Sequence, residues 1–209
     1  MKITVIGAGN MGSAFAKQFA RAGHQVSITA RNSDKAATVA ATTGARAVAP
    51  AGAALDADAV VLATGYADAI AALRAAGDLT GKVVVDITNP LTADYMGLTL
   101  GHTTSAAEEI AEAIPGAEVV KAFNTVFASV LAEGADFGNG QKVSVFVASD
   151  STRAKQTATA LAESIGFDVV DAGSLKNARY LEPLAGLNIY LGYGAGLGTG
   201  IAPVWIRKA

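Results

Sequence analysis

The chain opens on Met1-Lys-Ile-Thr-Val-Ile-Gly-Ala-Gly-Asn-Met-Gly12, an apolar strand running directly into Gly7-x-Gly9-x-x-Gly12. Residues 13–22 favour a helix, Gly23 ends it, and Gln25-Val-Ser-Ile-Thr-Ala30 is a second apolar run. Strand, glycine turn, helix, strand is the unit that seats a dinucleotide pyrophosphate. Gly7 permits the tight turn out of the strand. Gly9 lets the backbone approach the pyrophosphate, and Gly12 lets the helix pack close to the sheet. Ala8, Asn10 and Met11 fill the turn, and the helix start offers free N–H groups and a partial positive charge to the phosphates. A glycine-rich turn with no ligand is the blander alternative. The strand before it and the helix after it weigh against that reading.

The second strand ends where the adenine ribose of such a cofactor belongs. An NAD site places Asp or Glu there, about 20 residues past the glycines, whereas an NADP site places Arg. Here the sequence reads Thr29-Ala30-Arg31-Asn32-Ser33-Asp34-Lys35. The Arg31 guanidinium suits a 2′-phosphate because its fork donates two parallel N–H bonds, and Lys35 adds a second positive charge one turn on. Asp34 is counter-evidence, unless it caps the helix over residues 35–42. A solvated helix start is the alternative for Arg31 and Lys35. The reading favours NADP over NAD.

Downstream, strands and helices alternate. Asp58-Ala-Val-Val-Leu-Ala63 is a short β-branched run of the kind found in buried parallel strands. It opens onto Thr64-Gly65-Tyr66, expected to line the cleft at the carboxyl end of the sheet. Tyr66 equally suits a role covering the sheet end. Gly81-Lys-Val-Val-Val-Asp86 is the next strand, followed by Asn89-Pro90, and Asp86 reads as a carboxylate accepting neighbouring N–H bonds more than as a catalytic group. Ser105 with Glu108 forms a capping-box pattern ahead of the helix over residues 105–113. Glu118-Val-Val-Lys-Ala-Phe-Asn124 is a strand ending in an aromatic and an amide. A strand over 142–147, a helix over 152–165, a strand over 167–170 and a helix over about 177–190 complete the pattern.

Composition sets the outer bounds. The 209 residues are 51% hydrophobic and 16% charged, as expected of a folded α/β chain. A net charge of −2 gives no case for nucleic acid or an anionic membrane as partner. With no cysteine, disulfides, thiolate nucleophiles and Cys-ligated metals are excluded. The two histidines, His24 and His102, join no cluster with metal spacing, so no metal is expected. The amino-terminal strand does not read as a signal peptide. Glu182, Asn188 and the prolines and glycines of residues 180–206 interrupt the one stretch long enough to span a membrane. A cytoplasmic protein is expected. No Ser/His pair sits on a nucleophile elbow, which suits hydride transfer between two stacked rings with water excluded and no dedicated acid or base. Residues Thr64, Tyr66, Asn89, Pro90, Phe123 and Asn124 are placed to line such a site.

Several of these stretches together resemble the NADPH-dependent coenzyme F420 reductases. The matching pieces are Gly7-Ala-Gly-Asn-Met-Gly12, Ala30-Arg31 with Lys35, Asp86-x-x-Asn-Pro90, Val119-Val-Lys-Ala-Phe-Asn-Thr125, Asp171-Ala-Gly-x-Leu175 and Asn177-Ala-Arg-Tyr-Leu-Glu-Pro183. They run in order along nearly the whole chain. The family is also similar to the cytosolic reductase domain of membrane metalloreductases. The resemblance implies that Ala8, Gly9, Asn10 and Met11 cradle the pyrophosphate and that Ala30, Arg31 and Lys35 hold the 2′-phosphate. It further implies that Thr64 and Ala128 lie near the nicotinamide and that a deazaflavin is the second substrate. Archaeal members carry His, Ser and Thr where this chain has Asn124, Pro183 and Ala185, and only Arg179 is kept. Arg179 is either a substrate contact or the partner of Glu182 one turn on.

The expected fold is therefore α/β, a Rossmann-type doubly wound, mostly parallel sheet with a small C-terminal α/β extension. Residues 1–125 are expected to bind NADP, with Asn32 and Gly65 beside the groups already named. Residues 126–209 are expected to form a small substrate or dimerisation unit. The expected partner is a small redox co-substrate, coenzyme F420 or a flavin. The aromatic tail (Tyr180, Tyr190, Tyr193, Trp205) suggests a homodimer or a cover over the substrate. A β-hydroxyacid or imine dehydrogenase would need a longer helical domain, the glycine loop weighs against a purely structural dimerisation protein, and a non-catalytic NADP sensor is a further rival.

Overall fold

A computed structural model describes residues 1–138, 140–206 and 208. In chain order the first unit contains β1 (Lys2–Ile6), α1 (Asn10–Arg21), β2 (Gln25–Thr29), α2 (Ser33–Thr43), β3 (Arg46–Ala47) and β4 (Ala59–Leu62). It continues with α3 (Tyr66–Ala75), β5 (Val83–Asp86), α4 (Ala106–Ala113) and β6 (Glu118–Lys121). After these come α5 (Ala128–Glu133), β7 (Ser144–Val147), α6 (Thr152–Ser164), β8 (Asp168–Asp171) and α7 (Ala178–Ile189), which runs on into a π-helical turn, Tyr190–Gly194. The main sheet has six strands in the order β3-β2-β1-β4-β5-β6, every neighbouring pair parallel. β7 and β8 form a separate parallel pair, joined to β6 by an antiparallel bridge between Lys121 and Ala148.

The period of two along each strand sorts the core onto two faces. Ile3, Val5, Ala59, Val61, Val83 and Val85 pack on one side with Phe15 and Phe19 of α1 and Leu161 of α6. Ile6, Val60, Leu62 and Val84 pack on the other with Leu73 of α3 and Ile110 of α4. Burial on both faces is why β4 and β5 read as unbroken apolar runs rather than alternating ones. The doubly wound sheet is the expected one.

Local boundaries differ in informative ways. α1 begins at Asn10 rather than residue 13, because Gly9 already serves as its N-cap in extended conformation. α2 is capped by Asn32, whose side chain accepts the Lys35 N–H at 3.0 Å, so Asp34 lies inside the first turn and is not the cap. Ser105 caps α4 as the pattern implied, accepting from the Glu108 N–H. His24 is structural, one ring nitrogen meeting the terminal amine and the other the Ser164 hydroxyl. Among the described residues no helix is long and apolar enough to cross a membrane.

The strand order reverses direction between β1 and β4. In open parallel sheets ligands settle in the crevice outside the carboxyl ends of the strands at that point, and the glycine loop lies there.

Candidate functional site: a cleft at the carboxyl edge of the sheet

The glycine loop is built by three different contacts. Gly7 has φ +120° and donates its N–H to the Thr29 carbonyl at 2.8 Å, and a Cβ there would stand 2.3 Å from the Ala63 oxygen. A Cβ on Gly12 would stand 1.8 Å from the Gly7 oxygen, so α1 touches the loop it leaves. A Cβ on Gly9 would meet nothing within 4 Å. Gly7 and Gly12 are thus required by the protein's own packing, and Gly9 faces open space. The first turn of α1 has no capping side chain and no acidic residue, which leaves its N–H groups and positive end to an anion.

A cleft of about 510 Å³ extends from this loop between β2 and α3. Gly7, Gly9, Ala30, Arg31, Asn32, Lys35, Thr64 and Gly65 border it, so the structure brings together here half of the residues expected at a dinucleotide site. Arg31 is exposed, and its fork donates twice to Asp68 of α3, each bond at 3.1 Å. Asp68 was not anticipated, because nothing in the sequence places α3 opposite the end of β2. The Asn32 side-chain oxygen is occupied as the α2 cap. Tyr66 does not border the cleft: its hydroxyl donates to Glu109, so it bridges α3 to α4 and covers the sheet end. Burial, then the bond to Glu109 and the nearby Glu109, Glu182 and Asp86 carboxylates, push the Tyr66 phenol up and keep it protonated.

On the other side of the same loop lies an apolar hollow of about 590 Å³, bordered by Asn10, Met11, Asn89, Phe127, Ala128 and Tyr193 among others. Asn89 and Asn124 exchange hydrogen bonds across it. Asn89 Nδ2 donates to the Asn124 carbonyl at 2.9 Å and Asn124 Nδ2 to Asn89 Oδ1 at 3.0 Å. Asn124 Nδ2 also reaches the Leu181 carbonyl at 2.8 Å, tying β6 to α7. Phe123 has φ +58°, a left-handed backbone that costs a non-glycine residue about 1–3 kcal/mol. The turn sends its ring into the core, edge-on to Phe15 and Phe167, so Phe123 borders the hollow but gives no open face for stacking. Pro90 is buried behind the loop, and its carbonyl accepts from Thr99.

Arg179 is a correction. Its guanidinium grips Glu108 with two bonds, at 2.8 and 2.7 Å, and borders neither cleft. Glu108 is held below the usual carboxylate range chiefly by that guanidinium. Glu182, the alternative partner, is buried and belongs elsewhere. Its carboxylate accepts the Ala106 and Ala107 N–H groups at the start of α4 and meets Lys121 at 2.8 Å. Lys121 also meets Asp86 at 2.6 Å. Asp86 accepts the Thr88 N–H at 2.8 Å, as read from the sequence, while the lysine beside it was missed. The signal was present: both apolar strands end in a charge, and their parallel register places Asp86 opposite Lys121.

A third hollow, about 630 Å³, opens at the amino-terminal ends of β1 and β2 beside Lys2, His24 and Arg46. No part of the glycine loop borders it. Among the described residues, five buried side-chain oxygens have no hydrogen-bond partner: Thr29, Thr64, Thr88 and Thr125 Oγ1, and Asn124 Oδ1. Buried polar atoms are rarely left so. All five stand at or just beyond the carboxyl ends of β2, β4, β5 and β6; Thr29 and Thr64 border the cleft, and Asn124 and Thr125 the apolar hollow. No group of three or more acidic or histidine side chains among the described residues is arranged to hold a metal. The open face at Gly9, the bare start of α1 and the unpartnered hydroxyls of Thr29 and Thr64 fit a dinucleotide.

Comparison with known proteins agrees with this geometry. The family described as NADP oxidoreductase coenzyme F420-dependent matches residues 2–90. The F420-dependent NADP reductase of Methanothermobacter thermautotrophicus is 34% identical, with 91% of this chain and 89% of that protein covered. Rat metalloreductase STEAP3 is 38% identical over 52% of this chain, and the match spans only 21% of the rat protein. A crystal structure of a proposed F420-dependent NADP reductase from Arthrobacter sp. FB24 superposes with a TM-score of 0.86, at 36% identity, over 99% of this chain and 100% of that one. The glycine loop, the all-parallel sheet and these likenesses along the whole chain place the protein in the F420-dependent NADP reductase family.

Proposed function

We propose that this chain moves a hydride between NADPH, seated in the cleft beside Gly9 and Arg31, and a deazaflavin of the coenzyme F420 type in the apolar hollow beside Met11 and Asn89. Its family makes it an NADP-dependent oxidoreductase. The observation that carries the finer reading is that one loop, residues 7–12, borders both hollows, with Gly7 and Gly9 on one and Asn10 and Met11 on the other. NADPH supplies the hydride when bound. The chain's part is to bind, align and dry. The start of α1 and the glycine loop receive the pyrophosphate. Arg31 and Lys35 receive the 2′-phosphate, and Thr64 and Ala128 flank the nicotinamide end. Asn89 and Asn124 hold each other rigid against the acceptor ring, and Met11, Phe127 and Tyr193 exclude water. In this reading residues 1–125 carry the NADP site and residues 126–209 complete the acceptor side.

The assay follows the nicotinamide absorbance band of NADPH with a deazaflavin, with a flavin and with no acceptor. Oxidation is expected with the deazaflavin. Oxidation with the flavin alone would change the acceptor assignment. Tight NADPH binding without oxidation by any acceptor would leave a redox sensor.

The chain is further proposed to be a cytoplasmic homodimer. Tyr180 and Leu187 of α7 and Tyr190 of the π-helical turn stand exposed, an apolar stripe of the kind that marks interfaces. Sedimentation of the purified protein at micromolar concentration should give twice the chain mass; a monomer would refute the second copy.

A further inference from the structure

We infer that Lys121 is a positioning residue whose buried ammonium holds together the three walls of the apolar hollow. The inference rests on that hollow being the acceptor site. The Lys121 side chain is fully buried: its ammonium donates to Asp86 at 2.6 Å and to the Thr88 carbonyl at 2.7 Å, and it pairs ionically with Glu182 at 2.8 Å. The contacts join three walls, with Asp86 and Thr88 both leading into the first. Thr88 precedes Asn89. Lys121 itself stands two residues before Phe123 and three before Asn124. Glu182 lies on α7 one turn before Ala185, with Asn188 and Ile189 a further turn on, and all three of these border the hollow. Through Ala106 and Ala107 the same carboxylate fixes the start of α4.

Stability alone explains this cluster poorly. A buried ion pair gains little over well-packed apolar side chains, because removing charges from water costs about what their attraction returns. What ionic contacts add is direction. The ammonium accepts only a narrow set of oxygen positions, whereas apolar side chains slide. The cluster carries two carboxylates against one ammonium, a net charge of −1, and the positive end of α4 faces the extra charge. None of the three side chains borders the NADP cleft. A loosened clamp should therefore move the acceptor walls and leave the cofactor seat in place.

The test uses two full-length variants. Glu182→Gln keeps an oxygen for the α4 N–H groups and removes the charge that fixes Lys121. Lys121→Met combined with Glu182→Gln leaves Asp86 alone, restoring the cluster's net charge of −1 while abolishing the clamp. NADPH Kd is measured by fluorescence titration, and acceptor KM with coenzyme F420 at saturating NADPH. Both variants should raise acceptor KM roughly tenfold or more, since small misplacements of positioning groups are costly, with NADPH Kd within about twofold of the parent. If the parent turns over F420 but both variants keep its KM, the clamp is refuted and the acceptor reading stands. If Kd rises as much as KM, the cluster merely supports the fold and the inference fails, as it does if neither variant folds. If none of the acceptors tested lets the parent oxidise NADPH, the acceptor reading fails first and takes the inference with it.

Discussion

Arg31→Glu is expected to weaken NADPH binding by about a hundredfold and to leave NADH binding within about threefold. The difference arises because only NADPH carries the 2′-phosphate that the Arg31 fork can grip with two charge-assisted bonds. The substitution removes those bonds and adds a repelling carboxylate, while Lys35 stays to hold part of the affinity. Solvent limits the effect, since the Arg31 side chain is 85% exposed. Asp68 supplies a control of opposite sign. Its carboxylate occupies both arms of the Arg31 fork, so NADPH must displace it. Exposed pairs are weak, and Asp68→Asn should tighten NADPH by only about two- to fivefold. Titration of nicotinamide fluorescence with each cofactor reads both variants. Equal losses of NADPH and NADH in Arg31→Glu would remove the 2′-phosphate assignment.

Gly9→Ala and Gly12→Ala should separate folding from binding within one loop. Gly9 has an ordinary extended backbone, φ −85°, and open space where a Cβ would go. Gly9→Ala should therefore keep the parent's melting temperature, or raise it slightly by restricting the unfolded chain. NADPH affinity should nevertheless fall by at least about tenfold if the pyrophosphate meets the backbone at Gly9 as proposed, because the methyl group would stand in its place. At Gly12 the methyl carbon would lie 1.8 Å from a backbone oxygen, so the loop or α1 must move. Gly12→Ala should lose both stability and cofactor. Thermal unfolding with and without NADPH measures both. A Gly9→Ala protein with unchanged NADPH affinity would show that the pyrophosphate lies elsewhere.

The parts of the fold legible in the sequence were those governed by local chemistry. The order of strands and helices follows from β-branched apolar runs separated by amphipathic segments, and the glycine loop follows from its neighbours. Asn32 and Asp34 show the limit of such reading, since both are good capping residues and only the backbone path selects Asn32. The site was legible where one stretch carries it, as in residues 7–12 and 30–35. It was hidden where distant stretches meet. Arg179 and Glu182 sit a turn apart on one helix, and a helical pair is the natural expectation. Each instead reaches a different partner, Glu108 and Lys121, because α4 and the end of β6 pack against α7. Asp86 and Lys121 were individually visible as charges ending apolar strands. Their pairing depends on β5 and β6 being neighbours in register. Phe123 was read as lining the site, and its left-handed backbone turns its ring into the core instead.

The unpartnered oxygens at the strand ends bear on how long each molecule survives in a cell. Thr29, Thr64, Thr88, Asn124 and Thr125 are fixed at the carboxyl edge of the sheet, and a buried oxygen left without a partner costs stability. A cofactor or acceptor that bonds to them stabilises only the folded form, by about 2.7 kcal/mol at a hundred times its Kd. The unfolded fraction, the form proteases attack, then falls by roughly a hundredfold. Copies holding their cofactor are therefore expected to outlast empty ones under proteolysis, which digestion with and without NADPH measures.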